Sequence, residues 1–192
     1  MIKGFQQREG IDYKETFTPV LNFQSLRTLL TLTAYFNLEV HHVDIKTTFL
    51  NSTIAGQANV YIDIPKEYEG ATKGVHVLKL LKSLYRLKQA PRLWNEDLKK
   101  VLIDELRLSL VELSAEHSIF ISHELIVVVY IDDIALLTKT MVIMNTAKLL
   151  LEQHYKITDL DEIQTISQLN RLLEYRGNMT TKNISRNKGP LA

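Results

Sequence analysis

Leu125-Ile126-Val127-Val128-Val129-Tyr130 and Ile134-Ala135-Leu136-Leu137-Thr138 are two apolar runs separated only by Ile131-Asp132-Asp133. Runs this short and this rich in β-branched residues predict two strands joined by a tight antiparallel hairpin. Two adjacent carboxylates then sit at its tip. Neighbouring acids repel each other and their apolar flanks disfavour the charged forms, so the pair calls for compensation. A divalent cation supplies it: hard oxygen ligands suit Mg²⁺, and two such ions about 3.5–4 Å apart form the general device for in-line phosphoryl or nucleotidyl displacement. Taken without context, an Asp-Asp pair in a hairpin is more often simple turn chemistry.

Outward from the hairpin, residues 117–123 read as a further strand, and residues 141–154 carry the periodicity of an amphipathic helix. Upstream, Pro91 suits a first helical turn, and Leu93, Trp94, Leu98, Val101, Leu102 and Leu106 follow helical spacing to about residue 106. Leu38 to Ile45 alternates as a strand does, placing Asp44 near its end, where a neighbouring strand can bring it beside the hairpin tip. Asp44 is therefore the candidate third acid. His41 and His42 point to opposite faces of that strand and do not form one metal site; a structural role is expected for both. Residues 25–36 predict a helix with Ser25 as its cap and Asn37 as its stop. Residues 51–75 read as a peripheral insertion, with short strands at 59–64 and 75–80. The first 22 residues, with Gly4, Gly10 and Pro19, are expected to be irregular and partly extended, and beyond residue 163 the periodicity fades into an expected loosely ordered tail.

Composition narrows the function classes. The 192 residues contain no cysteine, which excludes disulfides and thiolate metal sites and fits an intracellular protein. Lys and Arg number 23 against 22 Asp and Glu, so any nucleic-acid-binding surface must be a local basic patch. Lys88 and Arg92, near a helix start, fit either phosphate contact or simple solvation. The longest apolar run is too short to span a bilayer, and no signal-peptide core follows Met1, so no membrane role is expected.

Five blocks, in order, carry a resemblance. They are residues 3–21 (Lys-Gly-Phe-Gln-Gln-Arg-Glu-Gly-Ile-Asp-Tyr-Lys-Glu-Thr-Phe-Thr-Pro-Val-Leu), Val43 to Asn51, Ser83 to Trp94, Tyr130-Ile131-Asp132-Asp133 and Tyr155 to Leu160. Together they resemble copia-type retrotransposon reverse transcriptases over roughly residues 3–162. The resemblance implies an α+β fold, the right-hand polymerase palm, with an antiparallel sheet backed by helices, incomplete fingers and no thumb. It would span residues 1–163, followed by a divergent segment at 164–192. It implies an RNA-directed DNA polymerase in which Asp44, Asp132 and Asp133 are catalytic and hold two Mg²⁺ ions. Phe49 then abuts the sugar and rejects a 2′-hydroxyl, Gln89 meets the incoming nucleotide and template, Lys88 and Arg92 support phosphates, and Tyr130 lies beside the primer end. The implied partners are an RNA or DNA template-primer and deoxynucleoside triphosphates.

The chain also departs from the family pattern. An arginine-bearing fingers strand is expected before Lys3, Arg86 stands where glycine is usual, Thr48 replaces alanine, Asp161 replaces glycine, and the Phe-Leu-Gly primer-gripping strand is not found after Ile163. These departures lead to the expectation of weak activity or none, and to an alternative reading as a catalytically inactive relic that retains nucleic-acid binding. A metal-dependent nuclease would rest on the carboxylates alone and leaves the Gln89 block without a role.

Overall fold

A computed structural model describes residues 2–54, 59–65, 68, 75–106 and 108–163. Among these, strands β1 (Glu39–Ile45), β4 (Val111–Leu113), β5 (Glu116–Ile121), β6 (Leu125–Tyr130), β7 (Asp133–Thr138) and β8 (Ile157–Glu162) form one antiparallel sheet in the order β4-β5-β6-β7-β1-β8. The helices are α1 (Phe23–Phe36), the single turn α2 (Thr48–Asn51), α3 (Ala90–Lys100) and α4 (Met141–His154). A separate two-stranded ladder pairs β2 (Tyr61–Asp63) with β3 (Val77–Lys79). The expected tail at 164–192 and parts of the expected insertion lie outside the described residues.

The apolar runs of β6 and β7 are continuous because both sheet faces are covered. Alternation sends Val127, Val129, Ile134, Leu136, Val43 and Ile45 to one face, where Trp94, Leu98 and Leu102 of α3 and Met144, Ala147 and Leu151 of α4 meet them. It sends Val128, Ala135, Leu137 and Val40 to the other, against Leu26 and Leu29 of α1. Each strand therefore presents hydrophobic side chains on both sides of its backbone.

Several boundaries differ from expectation for local reasons. Helix α1 begins two residues before Ser25, because the Asn22 side chain accepts from the Gln24 amide at 2.9 Å and so caps it. Ser25 instead donates to Glu116 at 2.9 Å, and the same carboxylate oxygen accepts from the Asn22 amide at 3.1 Å, placing an acid at the helix N-terminus. Asn37 ends the helix in the left-handed conformation, φ 50°. Helix α3 is followed by a wider π turn at Val101–Glu105 rather than continuing as α-helix to residue 106. Strand β5 covers 116–121 instead of 117–123. Strands β4 and β8 and helix α2 were not foreseen, since the first two are edge strands without strong alternation and the third is a single turn.

One partly buried polar network ties α4 to the sheet. The Lys148 ammonium contacts His41 Nδ1 at 2.7 Å and Asp159 Oδ2 at 2.5 Å, joining α4, β1 and β8. Burial alone pushes the Asp159 carboxyl up, but hydrogen bonds from Lys148 and the Asp161 amide, with the charges of Lys148 and His41, bring it below the ordinary value of 3.8. A carboxyl held low when folded stabilises the protein fully above its unfolded value, and that contribution is lost as pH falls through the folded value. Acid unfolding monitored by circular dichroism should therefore show Asp159→Asn destabilised relative to wild type near neutrality, with the gap closing as pH drops below about 4.

Candidate functional site

The edge of the hairpin is set by two residues, not three. Tyr130 pairs with Asp133, so the turn is Ile131-Asp132 and Asp133 already belongs to β7. Ile131 has φ 58°, a left-handed conformation that a β-branched side chain resists by roughly 1–2 kcal/mol. Trp94, 2% exposed beneath the turn, donates from Nε1 to the Ile131 carbonyl at 2.6 Å and holds it there. The α3 helix thus reaches the tip through one side chain. Trp94 is supported in turn by an edge-to-face contact with Tyr155, ring centroids 5.1 Å apart. Tyr155 donates to Asp97 at 3.0 Å, and burial followed by the Asp97 charge pushes its hydroxyl far above the usual tyrosine range.

Strand β1 brings the third acid. Its register with β7 sets Asp44 directly opposite Asp133, and the Ile45 amide bonds to the Asp132 carbonyl at 2.8 Å, carrying the ladder to the turn. Opposed residues of antiparallel strands share a face, with Cβ atoms about 4.5–5.5 Å apart. Asp44 and Asp133 therefore stand side by side, with Asp132 next along the chain. Each of the paired acids already has a partner from β1 or its end. Lys46 Nζ lies 2.5 Å from Asp44 Oδ2, and His42 Nε2 lies 2.8 Å from Asp133 Oδ1. The two histidines do face opposite ways, His41 toward α4 and His42 toward the acids.

The acids at this corner are carboxylates, the hard oxygen donors that suit Mg²⁺. In the described residues no three Asp, Glu, His or Cys side chains are arranged as a finished metal cage. The acids have the donor chemistry of such an ion, and in the arrangement seen Lys46 and His42 supply the compensating contacts to Asp44 and Asp133. Left-handed Thr47, φ 50°, follows β1 three residues after Asp44, so strained β-branched residues flank the acids on both strands.

Two of the remaining candidates line a cleft of about 190 Å³. Phe49 and Tyr130 line it with Trp94, Pro91 and residues 18–21. Phe49 is edge-to-face on Tyr85 at 4.8 Å. Gln89 is not open to this cleft: it is 2% exposed, and its amide bonds to Gln7 and to the Asp12 carbonyl, both at 3.0 Å. The Lys88 side chain belongs to an exposed residue, and its backbone amide bonds to Gln7 Oε1 at 2.7 Å. Arg92 pairs with Glu96 and, at 3.6 Å, with Glu15. Lys46, Trp94 and Gln7 were missed in the sequence. A signal existed for His42, whose two-residue offset from Asp44 puts it on the same strand face.

Residues 1–176 match the reverse transcriptase (RNA-dependent DNA polymerase) family. The chain belongs to that family. The retrovirus-related Pol polyprotein from transposon TNT 1-94 of Nicotiana tabacum is 47% identical over 94 residues, covering 49% of this chain and 7% of that protein. The corresponding polyprotein from transposon RE1 of Arabidopsis thaliana is 30% identical over 165 residues, 84% of this chain and 11% of that protein. A putative transposon Ty5-1 protein of Saccharomyces cerevisiae is 27% identical over 142 residues, 72% of this chain and 44% of that protein. These relatives agree with the copia-type resemblance of the ordered blocks, and this reverse transcriptase chain spans only a small part of the plant polyproteins. Among its described residues no helix is long and apolar enough to cross a membrane.

Two departures from the family pattern have a visible backbone consequence in this chain, the first at Asp161, which replaces glycine and has φ 63°. The second, Arg86, where glycine is usual, has φ 78°. Because only glycine adopts that region without steric cost, Arg86→Gly should raise stability by about 0.5–2 kcal/mol, the relieved strain being partly offset by chain entropy. Urea unfolding measures it, and an unchanged midpoint would mean that contacts of the arginine compensate for its backbone.

Proposed function

We propose that this chain carries the palm of an RNA-directed DNA polymerase and adds deoxynucleotides to a primer annealed to an RNA or DNA template. The observation supporting this most directly is the β1–β7 register that sets Asp44 against Asp133 at the Asp132 turn. Asp44 and Asp132, with Asp133, would hold two Mg²⁺ ions, whose chemistry is to favour the ionised primer 3′-hydroxyl and to offset charge on the leaving pyrophosphate. To hold such an ion Asp44 would have to give up its contact with the Lys46 ammonium, and His42 would remain the neighbour of Asp133 on the same strand face. Phe49 lies beside the sugar and excludes a 2′-hydroxyl by bulk. By the family resemblance Tyr130 would sit at the primer end, Gln89 would meet nucleotide and template, and Lys88 and Arg92 would support phosphates; as the chain stands Gln89 is 2% exposed and Arg92 is paired with Glu15 and Glu96.

Primer extension on a primed RNA template tests this reading. Wild type is expected to incorporate nucleotides only with Mg²⁺, and Asp132→Asn to incorporate none above background. Equal extension by the two would end the assignment. A second reading, a nucleic-acid-binding relic, draws on the pairing of Arg92 with Glu15 and Glu96 and of Asp44 with Lys46, which neutralises groups that polymerisation needs. Under it, primer–template binds in a gel-shift assay while incorporation is absent in wild type and mutant alike.

A further inference from the structure

We infer that Gln7 is a positioning residue for Gln89, fixing the side-chain amide that meets the incoming nucleotide; this rests on the role given to Gln89 above. Residues 4–13 form a strap laid across the start of α3. Gly4 anchors one end, since a Cβ there would stand 1.7 Å from the Arg86 carbonyl oxygen, so no other residue permits this approach. At the other end Gly10, φ 79°, closes a turn in which the Arg8 amide bonds to Asp12 Oδ2 at 2.7 Å and the Gly10 amide bonds to the Tyr13 carbonyl at 2.7 Å. That turn aims the Asp12 carbonyl at Gln89.

Between these anchors Gln7 makes a two-ended contact. Its Oε1 accepts from the Lys88 amide at 2.7 Å, and its Nε2 donates to Gln89 Oε1 at 3.0 Å, while Gln89 Nε2 donates to the Asp12 carbonyl at 3.0 Å. A primary amide has two N–H groups and two carbonyl lone pairs. The contacts take one of each from Gln89 and, by setting which end is oxygen, determine where its second N–H and second lone pair point. Gln89 makes no side-chain cap to α3, so these contacts are what orients it. Without Gln7 the Gln89 carbonyl oxygen, in a residue 2% exposed, loses the donor that fixes it.

A mutant cycle tests this by single-nucleotide incorporation on a primed RNA template, with Gln7→Ala, Gln7→Glu, Gln89→Ala and Gln7→Ala/Gln89→Ala. Gln7→Glu is decisive because a carboxylate still accepts from the Lys88 amide but cannot donate to Gln89. Both Gln7 variants should raise KM for the nucleotide about tenfold with kcat within about twofold, the scale of one lost hydrogen bond to a buried group. The double variant should be no worse than Gln89→Ala alone. A wild-type KM in Gln7→Glu, or additive losses in the double variant, would overturn the inference. If Gln7→Ala does not fold, Gln7→Glu alone decides.

If wild type incorporates nothing, the same cycle is read on the dissociation constant of a fluorescent deoxynucleotide. Non-additive weakening there supports the role of Gln7 while the polymerase reading of this chain fails on its own. Absence of nucleotide binding in wild type, or binding indifferent to Gln7, overturns the inference.

Discussion

Asp44→Asn is expected to lower Mg²⁺-dependent primer extension at least about a hundredfold, the scale of losing one preorganised electrostatic element at a reacting centre. The substitution preserves shape and removes the charge that would draw an ion to the β1–β7 corner. Folding should suffer little. The ion pair with Lys46 is partly exposed, with side chains 46% and 25% accessible, and such pairs are worth about 0–1 kcal/mol. Neutralising Asp44 also relieves its repulsion from Asp133 directly across the ladder. The melting temperature of Asp44→Asn should therefore stay within a few degrees of wild type, a shift of roughly 2–4 °C per kcal/mol being usual for this size. Extension at the wild-type rate with Asp132→Asn dead would remove Asp44 from the site and leave the turn acids to act without it.

Trp94→Ala should produce the largest loss of stability, about 3–5 kcal/mol, because a fully buried indole leaves a cavity that its neighbours cannot close. Trp94 belongs to the core shared by α3, α4 and the sheet, and it stacks edge-on with Tyr155. Trp94→Phe separates packing from hydrogen bonding. It keeps an aromatic ring in contact with Tyr155 but leaves the Ile131 carbonyl without the indole donor, at a cost of about 1–3 kcal/mol. The strained Ile131 turn is then free to relax, carrying Asp132 with it. Thermal melting should rank wild type above Trp94→Phe above Trp94→Ala. Extension should fall in Trp94→Phe at temperatures where it remains folded, whereas full activity in folded Trp94→Phe would show that the turn keeps its shape without the indole.

Local chemistry made much of the architecture legible. The hairpin was readable because Leu125–Tyr130 and Ile134–Thr138 leave room only for a tight turn, and α4 and most of α3 because their apolar spacing is helical. Edge strands β4 and β8 were not readable, since a strand with one neighbour in the sheet carries little alternation: β8 is largely exposed along Asp159 to Glu162. The start of α1 was misplaced by two residues because Asn22 and Ser25 are both good caps in sequence. Glu116, 91 positions along the chain, takes the Ser25 hydroxyl and leaves capping to Asn22.

By itself the sequence determined the family, through five ordered blocks, and singled out three acids as candidates, through their strand-end and turn positions. Tertiary structure alone decided what each acid and its neighbours touch. A strand's period of two says which residues share a face but not which strand lies alongside or in what register, because pairing is chosen by the sheet as a whole. That choice set Asp44 against Asp133, gave Lys46 and His42 to them as partners, and put Gln89 under the Gln7 strap. These contacts join residues up to 91 positions apart in the chain, as His42 and Asp133 show, so no local pattern encodes them.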